Sequence, residues 1–262
     1  MNLYIMLTGL FLLLTIKINL VSKALNILTK SNHGDSMNTK ENKMYNRDVN
    51  EIMSFVKWRG PEAMTNVGVF VLLTIQAGLS TVKGSMEKVR YHGLDWDYDI
   101  DKPMANCLWG KKWDGLEYLT DNAEYLYSKM YHIADTKGFQ SLDACSDVVQ
   151  LFMAVPNMGM VKAGFFAQCL GFNVACIDSH NITRLGIPAS LVKTPPAGMK
   201  PATVRKKVEA YVALTQVKGS MYWWNTWCEH VAGNRANRAL DTGDVVSRFH
   251  VECITHGFER GA

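Results

Sequence analysis

The stretch "AVPNMGMVKAGFFAQCLGFNVACIDSH", residues 154–180, decides how this chain is read. Pro156, Asn157 and Gly159 punctuate it, an apolar run rich in small residues follows, and Asp178 stands directly before Ser179 and His180. The punctuation predicts a tight turn between two helices. A helix starting after Gly159 offers unpaired N–H groups and the positive end of its dipole, an anion site to which Lys162 adds a charge. A glycine there also admits a second backbone, and a nucleic-acid phosphate suits the site. An ordinary helical hairpin accounts for the turn alone.

Asp178 closes the apolar link "FNVACI". A carboxylate at the edge of a buried run suits the activation of water or the stabilisation of a developing cation. Aspartate is also a preferred N-cap, and "DSHN" reads as a helix start. The two roles are compatible.

Working outward, "MTNVGVFVLLTIQAGLSTVKGSMEKV" (64–89) predicts an apolar helix to about Ala77, a glycine break, and an amphipathic segment from Ser80. Residues 91–115 mix aromatics, acids, Gly and Pro without a period and read as an inserted loop. Helical periodicity returns over 116–138, with Leu119, Ala123, Leu126 and Met130 on one face, and again over 141–155, with Ser141 and Asp143 as candidate caps. After the opening motif come a short helix, a Pro-rich turn at 193–201, and a long helical stretch through "YWWNTWCEHVAG". No sustained two-residue alternation is present in 50–235, so the expected fold class is mainly α.

With 262 residues, 48% hydrophobic, the chain is long enough to bury a sizeable core, and a net charge of +4 permits nucleic-acid contact without demanding it. Six scattered cysteines without a C-x-x-C pair read as free thiols of a reducing, cytoplasmic compartment. The opening "MNLYIMLTGLFLLLTI" is shorter than the roughly 20 apolar residues that span a bilayer and lacks a basic leader. The expected organisation is therefore an apolar segment plus polar linker over 1–49, poorly ordered, followed by one helical domain over 50–262. Membrane contact through residues 1–22 is the less favoured alternative, and Met37 or Met44 are candidate starts of a soluble protein.

The run Val155, Pro156, Asn157, Met158, Gly159, Met160, Val161, Lys162, Ala163, followed by Asp178, Ser179 and His180, resembles the hairpin and following aspartate of the endonuclease III superfamily of DNA glycosylases. The family pattern is approximately L-P-G-x-G-x-K-T-A followed by D-T-H, and the spacing here is one residue short. "LLTIQAG" (72–78) is similar to the family's early helix and turn, and the resemblance makes Gln76 the wedge that fills the space left by an extruded base. It covers roughly residues 64–235 and implies a two-lobed helical fold, double-stranded DNA as partner, no obligatory protein partner, and Asp178 as the catalytic carboxylate. Asn157, Gly159, Met160, Val161, Lys162 and His180 become the DNA-binding residues of the hairpin and its surroundings. Val161 stands where bifunctional members carry a strand-cleaving lysine, so the resemblance implies base release without lyase activity. The family's four iron–sulfur cysteines are absent from the chain.

Near the C-terminus, Cys228, His230, His250, Cys253 and His256 are the metal-ligating residue types, but helical spacing keeps only adjacent pairs on one face. Ordinary core and surface placement is expected, with no metal and no cofactor. Trp223, Trp224 and Trp227 suit either stacking on a base or core packing, and the i, i+4 pair favours the core. The expected function is a DNA glycosylase-like hydrolase or related base-modifying protein. The alternatives are an inactive DNA-binding module and a membrane-anchored helical protein.

Overall fold

The computed structural model describes residues 41–75, 77–78, 81–86, 110–232 and 242–255, with backbone alone at 41–43 and 110–111. The chain is mainly α: no strand occurs among the described residues. The helices are α1 (Glu41–Arg59), α2 (Pro61–Leu73), α3 (Gly110–Asp121), α4 (Ala123–Lys137), α5 (Leu142–Phe152) and α6 (Met160–Cys169). They continue as α7 (Ser179–Leu185), α8 (Ala189–Val192), α9 (Pro201–Gln216), α10 (Ser220–Ala232) and α11 (Gly243–Thr255). No described helix is long and apolar enough to cross a membrane, and residues 1–22 lie outside the described residues.

α2 is the axle of the core. Every residue from Ala63 to Leu73 is buried, and a helix that is apolar all round must be enclosed on all sides. α1, α3, α4, α6 and α11 supply the enclosure. Gly60, at φ 67, makes the corner between α1 and α2, and Pro61 starts α2 at the position where a missing N–H costs nothing. Asn66, buried in this helix, donates to the Ile254 carbonyl and so fastens α2 to α11.

Several sequence boundaries move. The expected border at residue 50 is displaced, because α1 begins at Glu41 and buries Met44, Tyr45, Asp48 and Val49 against α10 and α11. A polar composition concealed an amphipathic helix. The expected inserted loop gives up its end, since residues 110–115 belong to α3, while 91–109 lie outside the described residues. The periodic stretch 116–138 is two helices that break at Asn122; Leu119 is buried before the break and Leu126 and Met130 after it. The long C-terminal helix is likewise divided, by Gly219 at φ 81. α11 follows it and was not foreseen as a helix.

Ser141 caps α5 by accepting from the Ala144 N–H at 3.0 Å. Asp143 instead pairs with Lys137 at 2.5 Å and with Arg205, linking α4, α5 and α9.

Candidate active site

The hairpin forms between α5 and α6 as the punctuation requires, but the left-handed residue in it is Asn157 (φ 65), and Gly159 is extended (φ −73, ψ 172). Asparagine is among the few non-glycine residues that adopt this geometry readily. Gly159 is needed for a different reason. A Cβ there would lie 2.5 Å from Thr194 Oγ1, and that hydroxyl accepts from the Met160 N–H at 3.0 Å. The close approach that Gly159 permits is thus made by this chain's own segment after α8. The Lys162 N–H turns back to the Gly159 carbonyl at 3.0 Å, which leaves the N–H groups of Gly159 and Val161 without an acceptor among the described residues.

α6 then runs beneath a cavity of about 770 Å³. Val161 and Lys162 line it from α6, and Ile177, Asp178 and His180 from the link into α7. Thr74, Ile75, Ala77 and Gly78 line it from the end of α2. Gln76 itself lies outside the described residues, but both its neighbours face this cavity. Trp223, Trp224 and Trp227 with Phe165 and His250 form the aromatic part of the wall, and His230 stands at the rim beside His180, ring centroids 5.5 Å apart.

Asp178 is the N-cap of α7, and it also lines the cavity. Its Oδ1 accepts from the Asn181 N–H at 3.0 Å, capping α7, and its Oδ2 accepts from the Trp227 indole at 2.8 Å. Each carboxylate oxygen keeps a lone pair beyond these bonds. Asn181 is pinned in turn by donation to the Cys176 carbonyl at 3.1 Å. The result is a half-buried, oriented carboxylate at the edge of an aromatic cavity.

The tryptophans divide. Trp223 and Trp224 are buried, their indoles donating to the Thr215 carbonyl at 2.8 Å and to Ser247 Oγ at 2.6 Å, as core packing predicts. Trp227 does not share that placement: it is only partly buried and reaches the carboxylate. Its link to Asp178 spans 49 residues of sequence, and no local pattern signals it.

Lys162 donates to Thr74 Oγ1 at 3.0 Å and lies 5.4 Å from the centroid of the Phe165 ring. Lys112, almost fully buried, donates to the Leu73 carbonyl at 3.0 Å. Burial and then the Lys162 charge push the Lys112 ammonium down to about 8. The two lysines meet at the end of α2, whose last turn holds no basic residue of its own and whose dipole they complement.

His250 is 1% exposed, and neither ring nitrogen has a hydrogen-bond partner among the described residues. It packs among Phe70, Phe165, Trp224 and Trp227 at ring-centroid distances of 5.2–6.1 Å. Burial lowers its pKa to about 3, with Asp48 opposing and Lys162 assisting, so the imidazole is neutral at physiological pH.

No protein-family model, curated protein or solved structure matches the chain. Among the described residues no cluster of three or more His, Cys, Asp or Glu side chains is arranged to hold a metal; His256 lies outside them. The five described cysteines are free thiols, and burial pushes Cys145 up to about 11 and Cys176 up to about 12.

Proposed function

We propose that this protein binds duplex DNA through the α5–α6 hairpin, receives an extruded nucleotide in the cavity above α6, and releases its base by hydrolysis without cutting the strand. One observation carries the reading: the carboxylate of Asp178, the residues on both sides of Gln76, and the hairpin residues Val161 and Lys162 all line a single cavity. Its volume lies within the range of small-molecule sites, and Phe165 and the three tryptophans give part of its wall ring faces that suit the flat face of a base. The unpaired N–H groups of Gly159 and Val161 would meet the phosphate backbone. Lobe arrangement, wedge and carboxylate roles follow the glycosylase-like pattern of the sequence.

Within this reading Asp178 stabilises the oxocarbenium-like sugar as the base departs and accepts the proton of the attacking water. Val161 supplies no amine for a covalent sugar intermediate, and the Lys162 ammonium in the same cavity is turned to Thr74 Oγ1, so the abasic product remains unbroken. Borohydride trapping should accordingly give no cross-linked species.

Asparagine caps a helix about as well as aspartate, but its amide nitrogen would face the Trp227 indole N–H, so Asp178→Asn is read beside Trp227→Phe, which loses that bond and keeps the carboxylate. Single-turnover base release by Asp178→Asn is expected to fall by roughly 100-fold or more, the range for loss of a positioned acid–base group. The dissociation constant for the same duplex should stay within a few-fold. Release at the wild-type rate would remove Asp178 from the chemistry. Duplex binding without any base release by the wild type would favour an inactive binding module, and absent or salt-insensitive DNA binding would end both readings.

A further inference from the structure

Thr74, Gln168, Asp178 and the three tryptophans around the cavity already have hydrogen-bond partners, while His250 lines it as a neutral ring and Ser179, His180 and His230 lie on its exposed side. Gln168 is used at both ends, its Nε2 donating to the Ser220 carbonyl at 2.8 Å and its Oε1 accepting from the Cys176 N–H at 3.2 Å. All three indole N–H groups are taken, and the Thr74 hydroxyl donates to the Val71 carbonyl at 2.6 Å while accepting from Lys162. Lys162 differs. An ammonium has three donors, only one goes to Thr74, and no carboxylate among the described residues pairs with it. Lys112 beside it is likewise without an acid partner among the described residues, and its ammonium is fixed on the Leu73 carbonyl. The end of the cavity near α2 therefore carries one lining cation with spare donors, the partly buried Lys162, and Lys112 adds its charge from behind the wall without lining the cavity.

Resting on the glycosylase-like reading above, we propose that Lys162 is a substrate-contacting residue that selects oxo-substituted bases and holds the negative charge the base acquires on leaving. What discriminates is the ring substituent that faces Lys162: an oxo group there, as at C4 of uracil, presents the acceptor that the lysine needs, whereas an amino group there, as at C4 of cytosine or C6 of adenine, presents a donor to a donor and leaves a desolvated charge unanswered. The step balances with water alone. The C1′–N bond breaks and its electron pair leaves with the base, where the charge spreads onto the ring oxygen facing Lys162. Water oxygen bonds to C1′, its proton passes to Asp178, and an equivalent proton finally neutralises the departed base. A donor aimed at charge that develops only in the transition state accelerates the reaction more than it tightens ground-state binding.

The test uses the full chain and duplexes of one sequence. Non-cleavable 2′-fluoro nucleotides carrying uracil, adenine or cytosine report binding, and cleavable duplexes carrying uracil, 5-hydroxymethyluracil, 8-oxoguanine or 3-methyladenine report release. Wild type should bind the 2′-fluorouridine duplex at least tenfold more tightly than the adenine and cytosine duplexes, and Lys162→Met should erase that preference. Single-turnover release of uracil should fall about 100-fold in Lys162→Met and recover in part in Lys162→Arg. The deficit should shrink for 5-fluorouracil, a better leaving group that depends less on the cation. A structural role for the lysine would lower every substrate alike. Duplex binding that ignores base identity, or a deficit independent of leaving group, overturns the inference while the glycosylase-like reading stands. Absence of duplex binding overturns both.

Discussion

His250 is the residue whose chemistry is least reconciled with its surroundings. A buried imidazole with two unpaired nitrogens forfeits hydration without recovering it in hydrogen bonds, at about 1–3 kcal/mol for an unsatisfied group. Phenylalanine carries no polar atom among Phe70, Phe165, Trp224 and Trp227, and its larger ring has the cavity that His250 lines to extend into. His250→Phe is therefore expected to raise stability by about 1 kcal/mol at pH 7, read as a higher urea midpoint with an unchanged slope. The pH dependence has a definite sign. The ordinary value is near 6.5 and the folded value about 3, so between these limits the unfolded chain binds a proton that the folded chain refuses. Stability is whole above pH 6.5 and falls by about 1.4 kcal/mol per pH unit as pH drops towards 3. His250→Phe should remove most of the slope between pH 6 and about pH 5.3, above most of the range where carboxylates titrate. An unchanged slope there would show that the folded protein already accommodates the imidazolium.

At the scale of elements, α3 packs closely against the hairpin turn. Gly115 lies against the turn, where an added Cβ would stand 2.6 Å from the Pro156 carbonyl oxygen, a backbone atom that cannot swing aside. Gly115→Ala should thus destabilise by about 1–3 kcal/mol as an overpacking change, despite alanine's better helix propensity. Gly84, in the helical residues 81–86, has nothing within 4 Å of such a Cβ, and Gly84→Ala should be neutral or stabilising by up to about 1 kcal/mol. Denaturant titrations of the pair check both signs, and a loss at Gly84 equal to that at Gly115 would defeat the packing argument. Elements of this kind were legible from sequence to different depths. The hairpin, the caps at Ser141 and Asp178 and the apolar α2 follow from local rules, since turn chemistry and capping act within a few residues. α1 and α11 were obscured because their apolar stripes are interrupted by charges that only their mutual packing neutralises. Trp227 on Asp178, Thr194 on the hairpin and Lys112 beside Lys162 are contacts between distant segments, and no spacing rule reaches them.

For the molecule as a whole, the decisive tie joins the first and last described helices. Asp48 on α1 has a fully buried side chain and accepts from Arg47 Nε at 2.7 Å, from Arg248 Nη1 at 3.1 Å and from the Ser247 hydroxyl. Ser247 accepts in turn from the Trp224 indole, so α1, α10 and α11 close over one charge, and α10 is the helix that carries Trp227 to Asp178. Burial works against that charge, but the bonds from Arg47, Ser247 and Arg248 outweigh it and hold the Asp48 carboxyl below the ordinary carboxylate range. Removing one member of a buried pair strands the others, and Asp48→Asn should lower stability by about 3–5 kcal/mol. The second charged cluster, Arg205 with Asp143, Asp147 and Glu209, is partly exposed and solvent-screened, so Asp147→Asn should change stability by about 1 kcal/mol or less. The contribution of Asp48 is present above its unfolded value near 3.9 and is lost as pH falls through its lower folded value, which separates it from the His250 window at higher pH. Urea unfolding of both variants at pH 7 and in 1 M salt decides the point, because high salt weakens the exposed cluster and leaves the buried one largely intact. An Asp48→Asn loss no greater than that of Asp147→Asn would mean that the fold is closed by apolar contact between α1 and α11, with the ion pair merely tolerated inside it.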